Sequence, residues 1–328
     1  MLRGAAVAGA GSALPQRVLD NASLARSLGI DEAWIFERTG ILERRVAGKD
    51  ETLVDLAAAA GRSALADAGV EEADAVIVAT FTPDERLPGA APQVASRLGL
   101  DRAAAFDLNA GCAGFLYALT QATALVETGA ARRVLVVGAD IMSRVTDYAD
   151  RRSCVLFGDG AGAFLVQESR SPRLGPFRLY SDGSRPRLLW MPPETQKIAM
   201  NGREVYRRAV DAMSESIRDI ARRAGMTLDD IDLVVAHQAN VRILRAVAAR
   251  LELPFDRLIT NIAEVGNTSA ASIPLAVDDA RRRGTLRDGD VIALTAFGAG
   301  FAWGAGMMTW GTGSVAAPRR PQEEALGV

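Results

Sequence analysis

The chain holds two cysteines and a single histidine. Cys112 lies in LNAGCAGFLYAL, where the apolar stretch 103–109 reads as a strand and Ala113, Gly114 and Phe115 open an apolar helix. A thiol at that junction meets unpaired backbone N–H groups and the positive end of the helix dipole, both of which favour thiolate. The small residues Ala110, Gly111, Ala113 and Gly114 would let a substrate carbonyl approach backbone donors closely. A free cysteine is just as often a small core residue, and these residues alone do not choose between nucleophile and packing. Cys154, with no glycine elbow before a helix, is expected to pack.

His237 closes the apolar run IDLVVAHQAN, so any acid, base or hydrogen-bond role for an imidazole falls to it, unless it is only a satisfied structural histidine. With no second histidine, a His-based metal site is not expected, and no metal or cofactor is called for. Asn267, in VGNTSAASIP, could donate to a carbonyl without titrating. With Thr268 and Ser269 it could equally cap a helix.

These residues need elements to position them. β-branched apolar runs alternate with Ala-rich segments of helical period, as in LVDLAAAAGRSALADAG (53–69) followed by ADAVIVAT (73–80), which predicts an α/β fold of parallel strands and covering helices. The segments also recur in order. ADAVIVAT is echoed by DLVVAHQA (232–239), NAGCAGFLYAL (109–119) by GNTSAASIPLA (266–276), and RRVLVVGAD (132–140) by DGDVIALTAFG (288–298). Two duplicated halves are expected, 1–170 with Cys112 and 171–311 with His237 and Asn267. Duplication would bring the Cys112 and Asn267 elbows face to face.

The start, MLRGAAVAGAGSALP, reads as a strand and turn rather than a secretion signal. Residues 173–196 read as an irregular crossover, and the polar tail 312–328 is expected to be disordered. Gly158–Gly162 runs into a strand and Gly9–Gly11 lacks a third glycine, so neither suits dinucleotide binding.

Composition narrows the classes further. The 38 basic and 40 acidic residues leave a net charge of -2, so no global field favours nucleic acid. Hydrophobic residues at 49% and charged residues at 24% are ordinary for a globular chain. No stretch approaches a membrane span, and few cysteines fit a cytoplasmic setting.

WIFERTGILERR (34–45), LNAGCAGFLYAL, DRRSCVLFGDGAGA (150–163), MNGREVYRRAV (200–210), AHQAN, VGNTSAASIP and AFGAGFAWG (296–304) together resemble the β-ketoacyl-acyl-carrier-protein synthase III family of the thiolase superfamily, over nearly the whole length to Trp310. The resemblance implies a thiolase-like five-layered αβαβα fold, a homodimer and a catalytic triad of Cys112, His237 and Asn267. It implies that Cys112 takes an acyl group from acyl-CoA, with backbone N–H groups of Cys112 and Ala299 holding the oxyanion. A malonyl thioester on acyl carrier protein then loses carbon dioxide against His237 and Asn267 and attacks the acyl-enzyme. Trp34, Arg38 and Arg151 would grip the adenine end of coenzyme A, and Asn240 would line the tunnel. Arg207 and Arg242 would receive the carrier protein.

Leu87 stands where the family often has an aromatic residue from the partner subunit, so with Trp190 it is expected to shape an acyl pocket of altered size. The residues GIDEA before Trp34 also depart from the family pattern. An acyltransferase that passes the group from Cys112 to a hydroxyl or amine is the alternative activity. A degenerate subunit supporting an active partner is the non-enzymatic one.

Overall fold

The computed structural model describes residues 4–311; the tail expected to be disordered lies outside them. Two sheets carry the fold. The first runs Gly4–Ala13, Gly160–Ser169, Arg133–Asp140, Ala75–Ala79, Ala104–Leu108. The second runs Leu174–Ser181, Ala302–Thr309, Val291–Gly298, Leu233–Ala236. In both, the first two pairings are antiparallel and the next is parallel. The fifth strand of the first sheet pairs in parallel, and in the second its place is taken by a lone parallel bridge from Val234 to Leu258. The repeat seen in the sequence is thus a repeat of topology.

Alternation of side chains explains the layering. Ile77, Val134, Val136 and Phe164 face a central core with the helices Gly114–Glu127 and Ser272–Arg282, while Val76, Val78, Leu135 and Leu165 face the outer helices Leu53–Asp67 and Ala90–Arg97. Val234, Ala236, Ala293 and Met307 of the second sheet pack under Gly202–Arg223 and Val241–Leu251. The order is helix, sheet, helix, sheet, helix, the expected five layers. Local signals agree with these boundaries: Thr52 and Asp55 exchange hydrogen bonds in a capping box at the start of Leu53–Asp67.

One expectation changes. Leu174–Ser181, inside the supposed irregular crossover, is a regular edge strand, because Phe177 and Leu179 have the central core to pack on. The stretch before Cys112 is the expected strand; Ala104–Leu108 is the last strand of its sheet, and Phe106 is 42% exposed. Gly4–Ala13 forms the expected strand, and Gly160 opens a strand rather than a phosphate-binding helix. Among the described residues no helix is long and apolar enough to cross a membrane.

Candidate active site

The elbow at Cys112 is built by backbone. After Leu108 the Asn109 carboxamide oxygen accepts from Gly111 N–H at 3.1 Å, Gly111 adopts φ +53°, and a single 3-10 turn, Gly111–Ala113, leads into Gly114–Glu127. A Cβ on Gly111 would stand 3.2 Å from Ala299 N, and one on Gly298 would stand 2.7 Å from Cys112 N. Only glycines let the two turns nest this closely. The nesting brings Cys112 and Ala299 together in the lining of one cavity. Adjacent backbone N–H groups suit a developing oxyanion.

Burial pushes the Cys112 thiol up to about 11; the Ser269 hydroxyl 3.4 Å from the sulfur pulls down, and the Asp140 charge pushes up further. Proximity to a helix start alone suggests a depressed value. The residue is half-buried on the cavity lining, and its partial desolvation outweighs the helix terminus.

The second elbow mirrors the first. After Asn267 comes one 3-10 turn, Ser269–Ala271, and then Ser272–Arg282. The two readings of Asn267 are both met by one side chain: Oδ1 accepts from Ser269 N–H at 3.0 Å, as a cap would. Its Nδ2 takes no acceptor among the described residues, and the residue lines the cavity. His237 follows Leu233–Ala236, tied by its N–H to Thr295 O at 2.8 Å. Its Nδ1 lies 2.7 Å from Ser272 Oγ, and burial drives its pKa down to about 4. The imidazole is therefore neutral near pH 7. Cys154 is buried among Leu24, Ile35 and Val155, as expected of a packing residue.

The cavity holds about 1170 Å³ and contains Cys112, His237, Asn267 and Ala299 together. Its lining includes half-buried Trp34 and the exposed Arg38, Arg152 and Arg242, while Met142, Phe157, Ile198 and Trp190 supply an apolar wall. Trp34 and Arg38 stand one turn apart on Glu32–Thr39 and stack, the guanidinium 4.9 Å from the indole centroid. Asn240 lines the cavity but its amide is committed: Oδ1 caps Val241–Leu251 through Arg242 N–H at 2.8 Å, and Nδ2 donates to Arg38 O at 3.0 Å.

Three expected residues lie elsewhere. Arg151 is exposed and outside the lining; its neighbour Arg152 takes the position, held by the Asp150 carboxylate through both its N–H and Nε. Arg207 points outward in an ion pair with Glu204 at 3.1 Å. Leu87 is 90% exposed and off the cavity of its own chain, so any role in closing the acyl pocket requires a second chain. Sequence reasoning passed over Ser269, Ser272 and Asp140. The two serines stood in the quoted elbow, and Asp140 was a lone acid ending a buried strand.

The family model for 3-oxoacyl-[acyl-carrier-protein] synthase III matches residues 106–183, and its C-terminal counterpart matches 221–310. The chain is 49% identical over 310 residues to β-ketoacyl-[acyl-carrier-protein] synthase III 2 of Streptomyces coelicolor, covering 94% of each chain. Among solved structures it is similar to 3-oxoacyl-(acyl carrier protein) synthase III of Pseudomonas aeruginosa, with a TM-score of 0.91 and 46% identity over 94% of this chain and 98% of that one. It is similar also to the priming β-ketosynthase of the R1128 polyketide pathway, with a TM-score of 0.90 and 38% identity over 94% of this chain and 96% of that one.

Proposed function

The chain belongs to the 3-oxoacyl-[acyl-carrier-protein] synthase III family, and from that premise we propose how its residues carry out an acyl-CoA-primed decarboxylative condensation that starts a fatty acid or polyketide chain. The observation that carries the reading is the meeting of the two elbows, which puts a thiol, two oxyanion donors, a neutral imidazole and an unengaged amide into one cavity.

In the first half-reaction the Cys112 sulfur bonds to the acyl carbonyl carbon, the oxygen takes negative charge against the N–H groups of Cys112 and Ala299, and the bond to coenzyme A breaks with its electrons leaving on the thiolate. In the second, a malonyl thioester loses carbon dioxide. The released electron pair is held as an enolate by Nε2–H of His237 and Nδ2 of Asn267, then attacks the acyl-enzyme and expels Cys112. Neither histidine nor asparagine needs to change charge. Coenzyme A enters as part of a substrate, and the electrons balance without a cofactor.

Trp34, Arg38 and Arg152 suit a flat, phosphate-bearing nucleotide, and the wall around Trp190 suits an apolar acyl chain. Arg242 at the cavity, with Arg207 exposed nearby on its own helix, supports docking of an acidic carrier protein. The exposed edge strand bearing Phe106 supports a homodimer. Two unpaired cysteines suit the cytoplasm.

Intact-mass spectrometry after incubation with an acyl-CoA tests the assignment. Cys112→Ala is expected to gain no acyl mass, whereas His237→Ala and Asn267→Ala are expected to acylate but release no carbon dioxide from malonyl thioester. Acylation of Cys112→Ala would overturn the role of the thiol, and acyl transfer without carbon dioxide release by the intact enzyme would overturn condensation.

A further inference from the structure

The two elbows repeat each other residue by residue, and the repeat breaks at one position beside the reacting sulfur. In the first, Asn109 Oδ1 accepts from Gly111 N–H at 3.1 Å, Gly111 holds φ +53° and the turn Gly111–Ala113 follows. In the second, Asn267 Oδ1 accepts from Ser269 N–H at 3.0 Å, Ser269 holds φ +53° and the turn Ser269–Ala271 follows. Gly111 therefore corresponds to Ser269, and Cys112 to Ala270. Glycine takes this left-handed conformation freely, whereas a side chain there is strained. The second elbow keeps a serine at the very position where the first shows that glycine serves.

The serine supplies a hydroxyl that glycine lacks. Ser269 is fully buried, and its Oγ stands 3.4 Å from Cys112 Sγ, the hydroxyl donating and the sulfur accepting. Burial raises the Cys112 thiol most, the hydroxyl of Ser269 pulls it down, and the Asp140 carboxylate, which accepts from Ala270 N–H at 3.2 Å in the same turn, opposes a thiolate. His237 on the same cavity is neutral above about pH 4 and adds no charge.

We propose that Ser269 is a further catalytic residue, its hydroxyl holding the negative charge of the Cys112 thiolate both when the sulfur attacks and when it leaves. Before acylation the thiol gives its proton to solvent through the open cavity, and the lone pair left on sulfur accepts from the Ser269 O–H. That pair forms the bond to the acyl carbon, and the coenzyme A thiolate departs with the electrons of the broken thioester bond. In condensation the carbon–sulfur bond breaks with its electron pair on Cys112, and the hydroxyl meets the charge again. The serine keeps its own proton throughout. The inference rests on Cys112 being the acylated residue.

Ser269→Gly and Ser269→Ala both remove the hydroxyl, the first relieving the backbone and the second leaving φ as costly as serine does. The test is the rate of Cys112 alkylation by iodoacetamide from pH 7 to 9, read by peptide mass in the full-length enzyme and both variants, with a melting curve for each. Alkylation consumes thiolate. Loss of a charge-assisted hydrogen bond lowers the thiolate population, and the greater nucleophilicity of a more basic sulfur offsets part of the loss. Both variants are expected to react about tenfold more slowly across the range, on lines parallel to that of the unaltered enzyme. A serine that merely filled space would give the opposite sign, because its removal opens the sulfur to water and reagent. A folded variant that reacts at the original rate or faster overturns the proposal, and Ser269→Ala decides it should Ser269→Gly fail to fold. Iodoacetamide needs no acyl donor, so a failure of acyl-CoA to add mass to Cys112 counts against the proposed function and not against this hydrogen bond.

Discussion

Ser272 Oγ lies 2.7 Å from His237 Nδ1, joining the first residue of the second elbow's helix to the end of a strand 35 positions earlier. A serine that donates to Nδ1 leaves the imidazole proton on Nε2. Burial keeps the ring neutral, with its pKa down to about 4. A neutral ring with Nε2 protonated is a hydrogen-bond donor, which is what an enolate oxygen requires.

Ser272→Ala is therefore expected to lower the condensation rate by about tenfold, the kinetic equivalent of one neutral hydrogen bond. The acylation burst should be unchanged, because His237 enters only the second step. Rapid-quench measurement of the burst beside steady-state product formation separates the two.

The same burial carries a cost in acid. Between about pH 4 and the ordinary histidine value of 6.5 the unfolded chain binds a proton at His237 that the folded chain refuses. Stability thus falls as the pH drops through that window, by about 2 kcal/mol at pH 5. In His237→Gln this loss should vanish, while other titrations, including that of Asp140, act on both proteins alike. Urea unfolding at pH 7.5 and pH 5 is the check, and equal acid losses in the two proteins would contradict it.

The elbow at Cys112 was legible in sequence because strand, small residues and helix are local features with local causes. Asn267 was reachable only through the repeat, which turned a cap motif into the counterpart of the cysteine turn. Ser272, Ser269 and Asp140 were not legible as site residues, since their contacts span 35, 157 and 130 positions. The choice between Arg151 and Arg152 depends on which guanidinium the Asp150 carboxylate holds, a matter of rotamer and turn geometry that adjacent identical residues cannot disclose. The exposure of Ala104–Leu108 was hidden for a related reason. An edge strand proposed to pair with a second copy would keep the apolar composition of a buried one.

That reading of the edge strand has a direct test. Phe106→Asp is expected to shift the protein from dimer to monomer in light scattering after size exclusion, because it places a charge on each side of a two-fold contact. Retention of the dimer would move the interface elsewhere.

Binding of coenzyme A separates the two arginines. Trp34→Ala is expected to raise KM for the acyl-CoA by about fivefold to thirtyfold, corresponding to roughly 1 to 2 kcal/mol of lost stacking, with little change in kcat. Arg152→Ala should act in the same direction, and Arg151→Ala should have the smaller effect. The reverse order for the arginines would restore Arg151 to the site.

Gly298 gives the most severe single test of the oxyanion site. Its Cβ, were there one, would lie 2.7 Å from Cys112 N and 2.9 Å from Ala113 N, both of them backbone atoms that cannot rotate away. Gly298→Ala must push the two turns apart, which moves the N–H groups of Cys112 and Ala299 off their common target. Loss of one oxyanion donor costs about 100-fold to 1000-fold in rate, and the acylation burst should fall by that order. Alkylation of Cys112 by iodoacetamide builds no oxyanion, so its rate should change far less in the same variant. Comparable losses in both reactions would place the damage at the sulfur instead.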